Sequence, residues 1–205
     1  MNLFAIDTTG AELSLALQVE GKAFSFAREL SAPNDETLLS QARRLLRKGG
    51  LGWEDLDAVA VASGPGRFTG IRIGMSFAAV LAQRLRIPAL AISRFEALSA
   101  KTPGRLICAV LPGWRDEMFY QLFQRGPGGA AKPAAAPVWA SAREWSHARQ
   151  EMAARGATLA EAPVRAQDLI PCAELLMSRK RHPRFEPLYL KPASYELKAK
   201  AGAAR

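Results

Sequence analysis

The sequence predicts an α/β fold in which a three-stranded meander precedes alternating helices and strands, with a smaller version of the same plan in the second half. Three observations predict it. Leu13, Leu15, Leu17 and Val19 alternate with Ser14, Ala16 and Gln18, the period of a half-buried strand. Leu38, Leu39, Ala42, Leu45 and Leu46 then adopt the spacing of one helical face. Finally, the glycine-rich stretch Gly64-Pro65-Gly66-Arg67-Phe68-Thr69-Gly70-Ile71-Arg72-Ile73-Gly74 separates a short apolar run, Ala58 to Ala62, from a long one, Met75 to Leu85. That pattern reads as strand, tight turn and helix start.

The elements follow in order. Leu3 to Asp7 is a short buried strand, and Gly21-Lys22 turns the second strand into a third, Ala23 to Arg28. Asn34 or Asp35 caps the first helix, Glu36 complements its dipole, and Arg47-Lys48 before Gly49-Gly50 ends it. Asp57 to Ala62 is a strand, Gly70 to Leu85 a helix and Ala89 to Ile92 a strand. Ser93 caps a third helix that runs to about Lys101. Strand–strand–strand–helix–strand–helix–strand–helix is the order of an RNase-H-like unit, not of a doubly wound sheet.

Thr102-Pro103-Gly104 marks a boundary between a first unit, residues 1–101, and a reduced second unit, residues 105–192. The second opens with strands Leu106 to Leu111 and Met118 to Phe123. Gly126 to Pro137, rich in Gly, Ala and Pro, reads as a surface loop. Helices are expected at Ser141 to Arg155 and Gln167 to Arg181, then an extended segment, Pro187 to Pro192, and a basic, disordered tail over residues 193–205.

Composition narrows the function. Apolar content of 49% and charged content of 23% belong to an ordinary globular chain. The net charge of +9 favours an anionic partner such as RNA, and much of it lies late, in Arg179-Lys180-Arg181, Arg184, Lys191, Lys198, Lys200 and Arg205. Two cysteines, Cys108 and Cys172, form no metal or redox motif. No leader and no membrane span is expected, which places the chain in the cytoplasm.

Catalytic constellations are sparse. Asp7-Thr8-Thr9-Gly10 is the kind of turn that holds phosphate through hydroxyls and backbone N–H groups, yet a second phosphate loop is missing; Gly128-Gly129 lacks a preceding acid. Half a nucleotide cleft is left. The Walker lysine is absent from the glycine-rich turn. A two-metal nuclease needs clustered carboxylates, but the fourth strand ends in Ser63-Gly64 and Asp57 lies at its other end. His147 and His182 stand alone, without the helical pair of a metalloprotease.

The helix from Gly70 is more informative. Met75, Phe77, Ala78, Ala79, Val80, Leu81, Ala82 and Leu85 make it apolar nearly all round, so a partner is expected to bury its second face. Gly70 and Gly74, one turn apart, admit a close backbone neighbour. Arg72 opposes the helix dipole and requires an offsetting group, such as Asp7, Glu36 or a bound anion.

Ile6-Asp7-Thr8-Thr9, Glu36-Thr37-Leu38-Leu39, the stretch Gly64 to Gly74 and Pro187-Leu188-Tyr189-Leu190-Lys191 resemble the bacterial TsaB family, also called YeaZ. The resemblance implies two RNase-H-like subdomains of the actin/hexokinase (ASKHA) superfamily, the C-terminal one reduced. It implies a non-catalytic subunit for threonylcarbamoyladenosine synthesis beside the tRNA anticodon. A larger homologue, TsaD, would carry the metal and the transfer chemistry, a TsaE ATPase would join, and tRNA would be met through the complex. No cofactor is implied for this chain beyond a vestigial phosphate turn at Asp7, Thr8 and Thr9, with ATP only within the TsaD complex. The docking bundle maps to Asn34–Lys48 and Gly70–Leu85, with Leu38, Ala42, Leu45, Gly70, Arg72, Gly74, Met75, Ala78, Ala79 and Ala82 at the interface. On that mapping Ala78→Arg breaks the heterodimer, and the same face pairs two copies when TsaD is absent. The rival readings are a free-standing ATP-binding phosphotransferase and a glycoprotease-like peptidase. The chain departs from the family pattern at Asn34 and at Pro112-Gly113-Trp114-Arg115.

Overall fold

A computed structural model describes residues 1–29, 34–113, 115–127, 129–179 and 184–191. The first sheet is built from β1 (Leu3–Asp7), β2 (Glu12–Val19), β3 (Lys22–Glu29), β4 (Ala58–Gly64) and β5 (Ala89–Ser93) in the order β3-β2-β1-β4-β5. The meander is antiparallel, and β1, β4 and β5 run parallel. β1 is central and buried at every position, which accounts for its apolar run Leu3 to Ile6 before Asp7. Its alternate residues serve two cores. Phe4 and Ile6 face α1 (Asn34–Lys48) and α2 (Phe68–Leu85), while Leu3 and Ala5 face the opposite side.

The second sheet contains β6 (Leu106–Pro112), β7 (Met118–Arg125), β8 (Ala131–Pro133), β9 (Val138–Ala140) and β10 (Thr158–Ala160). β6 and β7 pair antiparallel, β8 and β9 both add to β7, and β10 lies parallel to β6. The first sheet's plan is thus repeated without a counterpart of β5 among the described residues. Ile107, Ala109 and Leu111 point into the core shared with the first sheet; Cys108 and Val110 point to α4 (Ala142–Ala154). Between the sheets lie α3 (Arg94–Lys101), a 3₁₀ turn Ala166–Leu169 and α5 (Ile170–Met177). The layers are therefore α1 and α2, sheet, α3 and α5, sheet, α4. Each fully buried Leu, Ile or Phe in these cores contributes roughly 1.5–3 kcal/mol.

Caps set the helix ends. The Ser93 hydroxyl accepts from the Phe95 amide at 3.2 Å, while Glu96 accepts from the Ser93 amide at 3.0 Å. Ser141 and Glu144 repeat the device on α4. At the far end of α3, Arg125 of β7 donates to the carbonyl oxygens of Ser99 and Thr102, each at 2.7 Å, and of Gly104 at 3.2 Å. One guanidinium thereby closes a helix terminus and fixes the connection between the sheets.

The structure corrects several expectations. The Gly126 to Pro137 stretch is not all loop, since it contributes β8. The expected helix Gln167 to Arg181 is a 3₁₀ turn followed by the short α5, because Pro171 supplies no amide and favours a helix start. β9 and β10 are three residues each, too short for a period to register. α2 begins at Phe68, two residues before the expected start. The expected tail lies outside the described residues, as do Trp114 and His182.

Candidate functional site

β1, β4 and β5 all deliver their C-terminal ends to one edge of the first sheet, where β1 turns into β2 and β4 into α2. The expected phosphate turn sits there and is closed. Asp7, Thr8 and Thr9 are only 3%, 1% and 1% exposed. The Thr8 hydroxyl donates to the Gly70 carbonyl at 2.6 Å, and the Thr9 amide and hydroxyl donate to Asp7 Oδ1 at 2.8 and 2.6 Å. Arg94 Nε stands 3.4 Å from Asp7 Oδ2, and Arg94 Nη1 donates to the Pro65 carbonyl at 3.1 Å. The three side chains of the turn are engaged by the chain itself.

The glycine-rich stretch explains how. A Cβ on Gly70 would overlap the Thr8 carbonyl oxygen, one on Gly74 the Thr8 hydroxyl, and one on Gly66 would lie 2.5 Å from the Thr9 carbonyl oxygen. These glycines let the start of α2 rest on the Asp7–Thr9 turn, and the Arg67 amide donates to Thr9 O at 2.7 Å to seal the contact. The glycine-rich stretch and the Asp7–Thr9 turn thus form an internal packing joint.

The two most distinctive motifs also meet here. The Leu188 amide donates to the Ser63 carbonyl at 2.8 Å, laying the Pro187 to Lys191 segment across the end of β4. Gly64, at φ +117°, leaves space for the Leu188 carbonyl, which a Cβ would approach to 2.7 Å. Tyr189 then stacks on Phe68 with centroids 4.9 Å apart, and the Arg72 guanidinium lies 4.0 Å above the Phe68 ring. The offset for a cation in the first turn of α2 is therefore an aromatic face. Glu117 accepts from Lys191 at 2.7 and 2.9 Å, holding the end of the same segment.

Most residues expected at a docking interface are buried in the structure. Leu38 (2% exposed), Ala42 (0%), Leu45 (4%), Met75 (7%), Ala78 (0%) and Ala82 (6%) belong inside the chain, and Gly70 and Gly74 are buried against Thr8. The first sheet presents Phe4, Ile6, Leu13, Leu15 and Leu17 to α1 and α2, so the helices turn these positions inward. Ala78→Arg would therefore break the core and report nothing about a partner. Of the expected interface residues, Arg72 is exposed and Ala79 half-buried. The outer surface of α2 is formed instead by Thr69, Arg72, Ser76, Val80 and Gln83, and that of α1 by Leu39, Ser40, Arg43, Arg44 and Arg47. Val80 is 66% and Leu39 42% exposed. Phe77 is covered by Trp53, at a centroid distance of 6.4 Å.

Sequence reasoning missed Arg94, Val80 and Leu39 as surface or site residues. Arg94 had one available signal, a cation directly after the capping Ser93. His147 is exposed on α4, and among the described residues no group of His, Cys, Asp and Glu is placed to hold a metal ion. No described helix is long and apolar enough to cross a membrane.

Residues 29–168 match the family model described as TsaD: tRNA N6-adenosine threonylcarbamoyltransferase. The chain is 33% identical over 129 residues to the tRNA threonylcarbamoyladenosine biosynthesis protein TsaB of Bacillus subtilis, covering 60% of this chain and 56% of that protein. It is 26% identical over 133 residues to the TsaB of Escherichia coli, covering 63% and 58%. The alignments thus span somewhat over half the length of these curated relatives. The solved structure of YeaZ from Pseudomonas aeruginosa is similar in fold, with a TM-score of 0.75 at 24% identity, covering 92% of this chain and 99% of that one.

Proposed function

This chain belongs to the family described as TsaD, tRNA N6-adenosine threonylcarbamoyltransferase, with TsaB proteins among its relatives, and on that premise we propose that it is an accessory subunit of tRNA threonylcarbamoyladenosine synthesis. Its task is to support a larger TsaD-like catalyst, and tRNA is met through the assembly. One observation carries the division of labour: the phosphate turn is packed shut by α2, with Thr8 bonded to Gly70 and Asp7 facing Arg94. Side chains already engaged by their own chain are poorly suited to hold a nucleotide, so transfer chemistry falls to the partner.

The docking surface is the outer side of α1 and α2. Ser76, Ala79 and Val80 form a low-relief strip that another helix can approach closely, and Arg72 stands at its end. A TsaE-like ATPase joins the assembly, and the same strip pairs two copies of this chain when the catalyst is missing. The protein works in the cytoplasm, where its tRNA substrate is modified.

The test is co-expression with the TsaD homologue of the same organism, sizing of the product and a tRNA modification assay. The expected result is a complex, modification that needs both chains, and none from this chain alone. Val80→Arg, on an exposed position, is expected to leave the fold intact and abolish the complex. Modification by the isolated chain, or full activity of the TsaD homologue without it, would overturn the proposal.

A further inference from the structure

Arg43, Arg44, Arg47 and Lys48 of α1 and Arg72 and Arg84 of α2 are all exposed, and none forms an ion pair among the described residues. α2 contains neither Asp nor Glu. α1 carries its acids, Asp35 and Glu36, only in its first turn, with none from Thr37 to Lys48. Beyond the first turn of α1 neither helix carries an acid of its own; an acid nearby is Glu54 of the 3₁₀ turn Trp53–Asp55, which shares a surface cavity with Val80 and Arg84. Like charges on one surface repel each other, and an opposing set removes that cost.

The same two helices expose aliphatic side chains, Val80 at 66% and Leu39 at 42%. Apolar side chains with arginines around them match the anatomy of a protein interface: a dry centre with a polar rim in which Arg is favoured over Lys. Five of the six cations are arginines, whose planar fork suits carboxylates. A nucleic-acid backbone would use the charges but leave Val80 and Leu39 without a partner.

We infer that the partner surface received by α1 and α2 is acidic: a helical face with Asp or Glu side chains flanking an aliphatic strip. The inference rests on the docking reading above and adds the partner's chemistry. It assigns the arginines to selecting and steering the partner, with Val80 and Leu39 filling the centre.

The test is a titration of the full chain against the TsaD homologue at about 50 mM and about 500 mM salt, repeated with R43E/R47E. Both substitutions are at exposed positions, and thermal unfolding checks that the variant is folded. Affinity is expected to fall by roughly tenfold or more at high salt and again in the double variant. Acid-to-lysine changes on the partner are expected to restore binding to R43E/R47E. Salt-independent binding that the double variant leaves unchanged would overturn the inference while leaving the docking reading intact. A variant that binds the TsaD homologue normally but loses tRNA affinity in the complex would assign the face to RNA and also overturn it. Failure of the unaltered chain to bind at low salt would remove the docking reading, and this inference with it.

Discussion

A methyl group at Gly70 would overlap the Thr8 carbonyl oxygen, a backbone atom with no freedom to move aside. Gly70→Ala must push α2 off the Asp7–Thr9 turn, and the expected loss is about 1–3 kcal/mol in urea unfolding. Ser76→Ala, on the exposed side of the same helix, is expected to change stability by less than about 0.5 kcal/mol. Equal losses for both would show that the joint bears no strain. Two thiols give a second residue-scale prediction. Burial pushes Cys108 and Cys172 from 9.0 up to about 12. At pH 8 each holds about a thousandfold less reactive thiolate than an ordinary cysteine. Ellman's reagent is expected to leave both unmodified in the native protein and to titrate both in urea; rapid labelling of the native chain would contradict this.

At the scale of elements, the decisive joints are few. Arg125 reaches from β7 to the last turn of α3 and donates to the carbonyls of Ser99, Thr102 and Gly104, of which Ser99 also accepts from the Thr102 amide at 3.4 Å. Arg125→Met preserves most of the side-chain volume but removes the donors. The expected cost is about 2–3 kcal/mol, read from the denaturant midpoint, because partly buried acceptors are left unpaired. A midpoint unchanged by the substitution would mean that water replaces the guanidinium without loss. α1 and α2 show the other side of element-level reasoning. Their apolar periodicity correctly announced helices, and the α3 cap and end were legible residue by residue. Which side of α2 faced the sheet was not legible, because Phe77, Ala78, Ala79, Val80, Leu81 and Ala82 give both sides similar hydropathy. The sheet decided it by offering one apolar face to which Ala78, and not Val80, is turned.

Across the whole molecule, the second half is fastened to the first by polar contacts as well as the shared core. Arg165 donates to Glu12 at 3.0 and 3.1 Å, and the Ser14 hydroxyl accepts from the Ala166 amide at 2.8 Å. The hydrogen bond from Arg165 holds the Glu12 carboxyl below its ordinary 4.5. A depressed carboxylate stabilises the fold above its unfolded value, and that contribution fades as pH falls through the lower folded value. Glu12→Gln is therefore expected to make stability less pH-dependent below about pH 4.5, by a small amount because the pair is solvated. Chemical denaturation between neutral and acid pH checks the slope; a steeper acid loss in the variant would reverse the assignment.

The sequence by itself determined the strand meander, the helices that follow it, the Ser93 cap of α3 and the family, because these depend on local periodicity, on a capping residue and on glycines at fixed spacing. It also marked Gly64 to Gly74 as the place where the backbone must come close to something. Only the tertiary structure decided what that something is: the Thr8 turn and the Leu188 carbonyl, over a hundred residues apart in the chain. It likewise turned Leu38, Ala42, Leu45, Met75 and Ala78 into the core and left Leu39 and Val80 outside. The physical reason is the same in both cases. A glycine records that space is needed and a hydrophobic residue that cover is needed, but which neighbour supplies either is fixed by long-range packing.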